Sequence, residues 1–214
     1  MPANIYKNKD GKRIPGVTTV IGNLGWSKGG LMHWAWMEGI EGRDYKATRD
    51  KAADTGTIAH AMVEAQLKDI SWRELVDLRG VEGEQIKQAE AAYNAFLEWA
   101  NGAKFRLLKS EHLLVSELYQ FGGQIDVAGI QGRRAIIDLK TSNAVYEDHK
   151  IQIAAYSNLW DENYPDEPIE AHYILQLGKD GGFTYYMLPD SVIESGWEAF
   201  KHLRALHDLK KRLK

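Results

Sequence analysis

Between Gly122 and Ser142 two apolar, alternating runs flank a glycine turn: Gly-Gly-Gln-Ile-Asp-Val-Ala-Gly-Ile, then Gln-Gly-Arg-Arg, then Ala-Ile-Ile-Asp-Leu-Lys-Thr-Ser. That pattern predicts an antiparallel hairpin. Successive strand residues face opposite sides, so Asp138 and Lys140 share one face and Ile137 and Leu139 the other. Asp126 shares its face with Gln124 and Ala128. Two carboxylates and an ammonium are costly to hold near a sheet interior unless a cation or a function compensates. Asp126 and Asp138 can together hold Mg²⁺ or Mn²⁺, both oxygen-preferring ions, with Lys140 beside them as a fixed positive charge. Register decides whether they meet. Asp126 must face an even-numbered residue, which requires a three-residue loop, Gln131 to Arg133, or a bulge between Asp126 and the turn.

Further signals stand on either side of the hairpin. Upstream, Thr55-Gly56-Thr57-Ile58-Ala59-His60 has the form Gly-x-x-x-His. Gly123-Gln124-Ile125-Asp126 is Gly-x-x-Asp, Asp138-Leu139-Lys140 is Asp-x-Lys, and Gln152-Ile153-Ala154-Ala155-Tyr156 is Gln-x-x-x-Tyr. Near the start, Ile14-Pro15-Gly16-Val17-Thr18-Thr19-Val20 resembles a Pro-Ser-Val-Thr-Thr opening. In this order and combination the chain resembles the PD-(D/E)xK nucleases, over roughly residues 14 to 160. It looks closest to the RecB-like branch, which includes phage exonucleases, CRISPR-associated exonucleases and the mitochondrial genome maintenance exonuclease. Several members of that branch carry four cysteines around an iron–sulfur cluster. This chain has no cysteine, so disulfides, thiolate metal sites and such a cluster are excluded.

The resemblance implies an α/β (α+β) fold with a restriction-endonuclease-like core, a mixed central sheet flanked by helices. At 214 residues the chain reads as one domain, 1–214. No apolar run is long enough to span a membrane, and Met-Pro-Ala-Asn-Ile-Tyr-Lys lacks a signal-peptide core; the expected location is cytoplasmic. The net charge of −3 argues against nonspecific coating of DNA, so nucleic-acid contact has to come from local basic patches.

The rest of the chain reads as follows. Val17–Ile21 is expected as a short strand or turn. Trp26 to Met37 enters a helix near Leu31; its three tryptophans can stack on unpaired bases, or Trp34 and Trp36 can simply pack in the core. Asp54 to Ile70 is an amphipathic helix with Ile58, Ala59, Met62, Val63 and Leu67 in its stripe, capped by Thr55 or Thr57. It carries His60 and, one turn on, Glu64, which can orient His60 or pair with a basic residue. Residues 82–101 form a second long helix. Strand material follows from Lys104 to Tyr119, on which Glu111 or Glu117 could assist the metal site; Glu117 is the one carried forward. Tyr146 to Tyr164 is a helix with Gln152 and Tyr156 on one face. Ala171 to Leu188 is a second hairpin in the same sheet, and Ser191-Val192-Ile193-Glu194 has the form of a capping box opening a last helix with a basic end.

Taken over from the resemblance, the metal ligands are His60, Asp126 and Asp138. Lys140 stabilises the transition state and orients the attacking water. Gln152 and Tyr156 position the phosphate or orient Lys140. The implied activity is that of a Mg²⁺- or Mn²⁺-dependent deoxyribonuclease acting in recombination, repair or processing. DNA, with single-stranded ends favoured, is the implied partner, and recombination or replication proteins are further candidates. The segment of about 26–51 is expected at the cleft rim, with Trp26, Lys28 and Arg49 as DNA contacts. Two alternatives remain open. One is a structure- or sequence-dependent endonuclease; the other is a noncatalytic DNA- or protein-binding module on the same fold.

Overall fold

The computed structural model describes residues 4–26 and 28–213. The expectations that touch Met1–Ala3, Ser27 and Lys214 lie outside the described residues. The scaffold is one five-stranded sheet in the order β3-β4-β5-β6-β7: β3 (Arg106–Ser116), β4 (Phe121–Gln131), β5 (Arg133–Lys140), β6 (Ala171–Leu177) and β7 (Phe183–Leu188). Three of its four pairings are antiparallel; β5 and β6 run parallel and are joined through α5 (Glu147–Asn163). The sheet is therefore mixed and flanked by helices, as the motifs imply.

Helices cover both faces because both faces of the central strands are apolar. Ile136 of β5 faces a core that contains Val17, Val20, Ile153, Leu159, Trp160 and Phe200. Those residues belong to α1 (Val17–Ile21), α5 and α6 (Asp190–Arg212). Ala135, Ile137 and Leu139 face the opposite core, built with Ile58, Met62, Ala89, Ala92 and Phe96. These come from α3 (Tyr45–Lys68) and α4 (Gly83–Gly102). A two-stranded hairpin, β1 (Tyr6–Lys7) with β2 (Arg13–Ile14), lies against β4, where Gly16 bridges Gly122 and the Gly122 amide donates to the Pro15 carbonyl at 3.0 Å.

Several boundaries differ from the sequence reading. Val17–Ile21 is a helix, not a strand. Its buried residues, Val17, Val20 and Ile21, recur at helical spacing, and packing on α5 and α6 overrides the local β preference of Val-Thr-Thr-Val-Ile. The His60 helix starts at Tyr45, capped by Asp44, whose side chain accepts the Lys46 amide at 2.9 Å. Thr55 is thus mid-helix and donates its hydroxyl to the Lys51 carbonyl. The last helix begins at Asp190 behind Pro189, so Ser191 does not cap it. Trp36, on α2 (Lys28–Ile40), is exposed, which rules out the core role for that indole. No described helix is long and apolar enough to cross a membrane.

One buried polar residue gives the fold a pH dependence. His172 of β6 is 5% exposed and its Nε2 meets Ser157 Oγ at 2.8 Å. Burial pushes its pKa down to about 4, outweighing the opposing field of Asp190. The unfolded chain takes up this proton near pH 6.5, and the native state does so only near 4. Stability is therefore lost as pH falls through that window, by about 2 kcal/mol at pH 4.5. Urea unfolding of the parent and of His172→Gln at pH 7 and pH 4.5 measures it. The parent is expected to lose about 2 kcal/mol more than the variant on acidification; equal losses would show that His172 is not the source.

Candidate active site

The hairpin turn is the three-residue one that brings the charges together. Gln131 pairs with Arg133, and the ladder runs back through Ala128↔Ile136 to Val127↔Ile137. The next rung would set Asp126 opposite Asp138. There the strands part and a side chain replaces the ladder bond: Asp126 Oδ2 accepts the Leu139 amide at 2.8 Å. Both carboxylates are buried, with Asp138 1% exposed.

Two glycines explain how helices come so close. A Cβ on Gly123 would stand 2.7 Å from Leu159 Cδ1 and 2.8 Å from Tyr156 Cε1. Glycine there lets α5 lie directly on β4, which places Tyr156 over the site. A Cβ on Gly56 would meet Thr141 Oγ1 at 3.0 Å. Glycine there seats α3 against the end of β5 and turns His60, one helical turn on, toward Asp126. The spacings in Gly-x-x-Asp and Gly-x-x-x-His thus have a steric content: each glycine admits the element that carries the partner motif.

A cavity of about 470 Å³ opens on these residues, lined among others by His60, Glu111, Asp126, Lys140, Gln152 and Tyr156. On one side His60, Glu111 and Asp126 present ligand atoms all within 4.8 Å of one another. His60 Nδ1 lies 2.9 Å from Glu111 Oε1 and 3.8 Å from Asp126 Oδ1. On the other side, Lys140 Nζ lies 2.6 Å from Asp138 Oδ2 and donates to Gln152 Oε1 at 3.3 Å. Gln152 Nε2 donates in turn to the Tyr156 hydroxyl at 2.9 Å.

Burial and charge act against each other throughout. Burial alone would favour neutral His60, but Asp126 and Glu111 outweigh it and raise its pKa to about 9. Burial raises Asp138 to about 6, against the pull of Lys140. It raises Asp126 as well, against His60 and Lys140. For Lys140 burial favours the neutral amine, yet Asp138 and Asp126 prevail and hold it charged. Burial pushes the Tyr156 phenol well above its ordinary value, so it keeps its proton.

Glu111 is the residue that sequence reasoning undervalued. It sits in β3 at φ 48°, the left-handed region, which costs a non-glycine residue about 1–2 kcal/mol and recurs at functional sites. Nothing in the sequence marks that conformation. Glu117, the acid favoured from the sequence, instead accepts the Lys9 amide at 2.7 Å, and Glu64 pairs with Lys68. No described residue of 26–51 lines the cavity; its wall comes from Asn4, Tyr6 and Gly16 to Thr19. Trp26 and Lys28 are exposed elsewhere, and Arg49 pairs with Asp50 at 2.7 Å.

The family model of the PD-(D/E)XK nuclease superfamily matches residues 27–198. The chain belongs to that superfamily. Among solved structures, a provisionally assigned exonuclease from Eubacterium rectale is similar at 15% identity and a TM-score of 0.51, over 71% of this chain. The match spans 64% of the Eubacterium protein's length. The alkaline exonuclease LHK-Exo from Laribacter hongkongensis matches at 14% identity and a TM-score of 0.38, over 74% of this chain and 90% of that one. A search of curated proteins finds no match. At these identities the structural likeness concerns the fold; superfamily membership is what marks the cavity around Asp126 and Lys140 as the candidate active site of a nuclease.

Proposed function

We propose that this protein is a metal-dependent exonuclease that hydrolyses phosphodiester bonds in DNA and prefers single-stranded ends. The observation that carries the reading is the meeting of two groups of residues in one cavity. Lys140, Gln152 and Tyr156 line it as one continuous chain of contacts, with Asp138 buried against Lys140, and His60, Glu111 and Asp126 gather beside them. A solely structural set of buried charges has little reason to open both groups onto a shared cavity.

The residues fit a hard divalent cation. Both Asp138 oxygens are buried without a hydrogen-bond donor in good geometry, although Lys140 stands within ion-pair distance. An ion there would satisfy them. His60, Glu111 and Asp126, whose ligand atoms converge, would hold it together with Asp138, which stands outside that cluster, and this mixed oxygen and imidazole set suits Mg²⁺ or Mn²⁺. Such an ion supplies neutralisation of phosphate oxygens and activation of water at neutral pH.

The chain's own groups do the rest. Lys140 places a fixed ammonium where negative charge develops on the phosphate, in a dry setting where it acts strongly. Gln152 holds that ammonium through its carbonyl oxygen and holds Tyr156 through its amide. Tyr156 then directs its hydroxyl proton to a non-bridging phosphate oxygen. The preference for single-stranded ends is taken from the motif resemblance; Asn4, Tyr6 and Gly16 to Thr19 wall the same cavity and are the groups a strand would meet there.

Digestion of linear and covalently closed circular single-stranded DNA with Mg²⁺, with Mn²⁺ and with EDTA tests this. Linear strands are expected to disappear with either ion and persist in EDTA, while circles survive. Rapid linearisation of circles would replace the exonuclease reading with an endonuclease. Binding without cleavage under all three conditions would leave a noncatalytic module.

A further inference from the structure

A second cavity, of about 400 Å³, adjoins the catalytic one along the β1–β2 hairpin, with Pro15 in its lining and Gly16 in that of the catalytic cavity. Its lining carries five cations, Lys12, Arg13, Arg204, Lys211 and Arg212, against one acid, Asp208. Asp208 is taken by Arg204 at 2.7 Å. Among the described residues, no ion pair involves Lys12, Arg13, Lys211 or Arg212. Cations at the end of α6 suit the helix dipole. The dipole does not explain why Lys12 and Arg13 are brought there from the other end of the chain. Gathering four uncompensated cations in one concavity of a protein whose net charge is −3 is electrostatically costly, and a polyanion relieves that cost.

We infer that this pocket binds the sugar–phosphate backbone of the same nucleic-acid strand whose scissile phosphate occupies the catalytic cavity. The inference rests on the nuclease reading above. Position favours a strand over an acidic protein. The β1–β2 hairpin gives Asn4 and Tyr6 to the catalytic cavity and Lys12 and Arg13 to the basic one. It is locked in place, since Tyr6 packs on Gly122 with no room for a Cβ between them. The chain leading into and along β4 passes from Gln120, at the basic pocket, to Asp126, at the catalytic one. Those six positions span about 20 Å of extended chain. With one phosphate per about 3.4 Å of stacked strand, that is at most about six nucleotides, and fewer in an unstacked strand. A dinucleotide, with its single phosphodiester, cannot occupy both sites and a 20-mer can.

The test measures single-stranded DNA binding in EDTA, with a dinucleotide and a 20-mer, across a salt series. The parent is compared with Arg13→Gln/Lys211→Gln/Arg212→Gln, all three exposed and none lining the catalytic cavity. The variant is expected to bind the 20-mer about tenfold more weakly at low salt. Its salt slope should fall by about two, since each lost contact with a single strand removes about 0.7. Binding of the dinucleotide should not change, and Arg13→Lys/Lys211→Arg/Arg212→Lys should restore the parent values. Hydrolysis of a nitrophenyl ester of thymidine monophosphate, run in parallel with Mn²⁺, should be equal in all three proteins. Unaltered 20-mer affinity and slope in the neutral variant would overturn the inference. Failure of the parent to hydrolyse the ester would instead count against the nuclease reading, with the binding comparison still deciding the pocket.

Discussion

Replacing Lys140 by alanine is expected to reduce cleavage about 10³-fold while leaving Mn²⁺ affinity unchanged or higher. The two effects part because Lys140 is a buried cation 2.6 Å from Asp138. Removing it takes away charge stabilisation of the transition state and also frees a carboxylate that would otherwise answer to the ammonium. Asp138→Ala should behave differently and lose both binding and cleavage. It deletes a ligand and leaves Lys140 buried without its nearest partner, a change that destabilises as well. Calorimetric titration of Mn²⁺ into both variants, beside a timed digest, separates the cases. Loss of Mn²⁺ binding in Lys140→Ala would overturn the division of roles.

Gly129→Ala is expected to destabilise the protein by about 3 kcal/mol or more, a large fraction of the stability of an ordinary domain. A methyl group at Gly129 would collide with the Phe105 ring and with the Arg106 carbonyl oxygen. The second is backbone of the neighbouring strand, beside the register shift between Leu107 and Lys109, and it cannot swing aside. Gly132→Ala provides the contrast. That position has open space around it but φ +70°, so the cost is dihedral only, about 1–2 kcal/mol. Urea midpoints of the two variants rank them. A Gly132→Ala protein less stable than Gly129→Ala would mean that the β3–β4 contact relaxes more readily than the turn.

Much of this architecture can be read from local pattern. The turn centred on Gly132 and the two-residue alternation of Ile137, Asp138, Leu139 and Lys140 determine which charges share a face, and the structure keeps that register. The apolar stripe of Ile58, Ala59, Met62 and Val63 locates the His60 helix, because its period matches the face it buries. What stayed illegible depends on tertiary context. Val17–Ile21 favours strand by composition and becomes helix through packing. Asp44 caps α3 a full fourteen residues before the apolar stripe begins at Ile58, because the intervening turns are solvated and carry no hydrophobic signal. Glu111 reaches His60 through a backbone conformation that no residue type announces. The segment of about 26–51, expected at the cleft rim, contributes no described residue to the cavity, whose wall is built with Asn4, Tyr6 and Gly16 to Thr19 instead.

The single parallel pairing in the sheet also sets a kinetic order. β3-β4-β5 and β6-β7 are joined by short connections and can form as local units within microseconds. β5 and β6 meet only after residues 141–170 close a crossover, and nonlocal closure of that kind is slow. The crossover carries α5, and with it Gln152 and Tyr156. Lys140 thus acquires Gln152, and through it Tyr156, in the same late event that completes the sheet. The reverse holds on the way out: opening of the β5–β6 seam would silence the catalytic lysine while both meanders still hold, so inactivation on heating would precede loss of secondary structure.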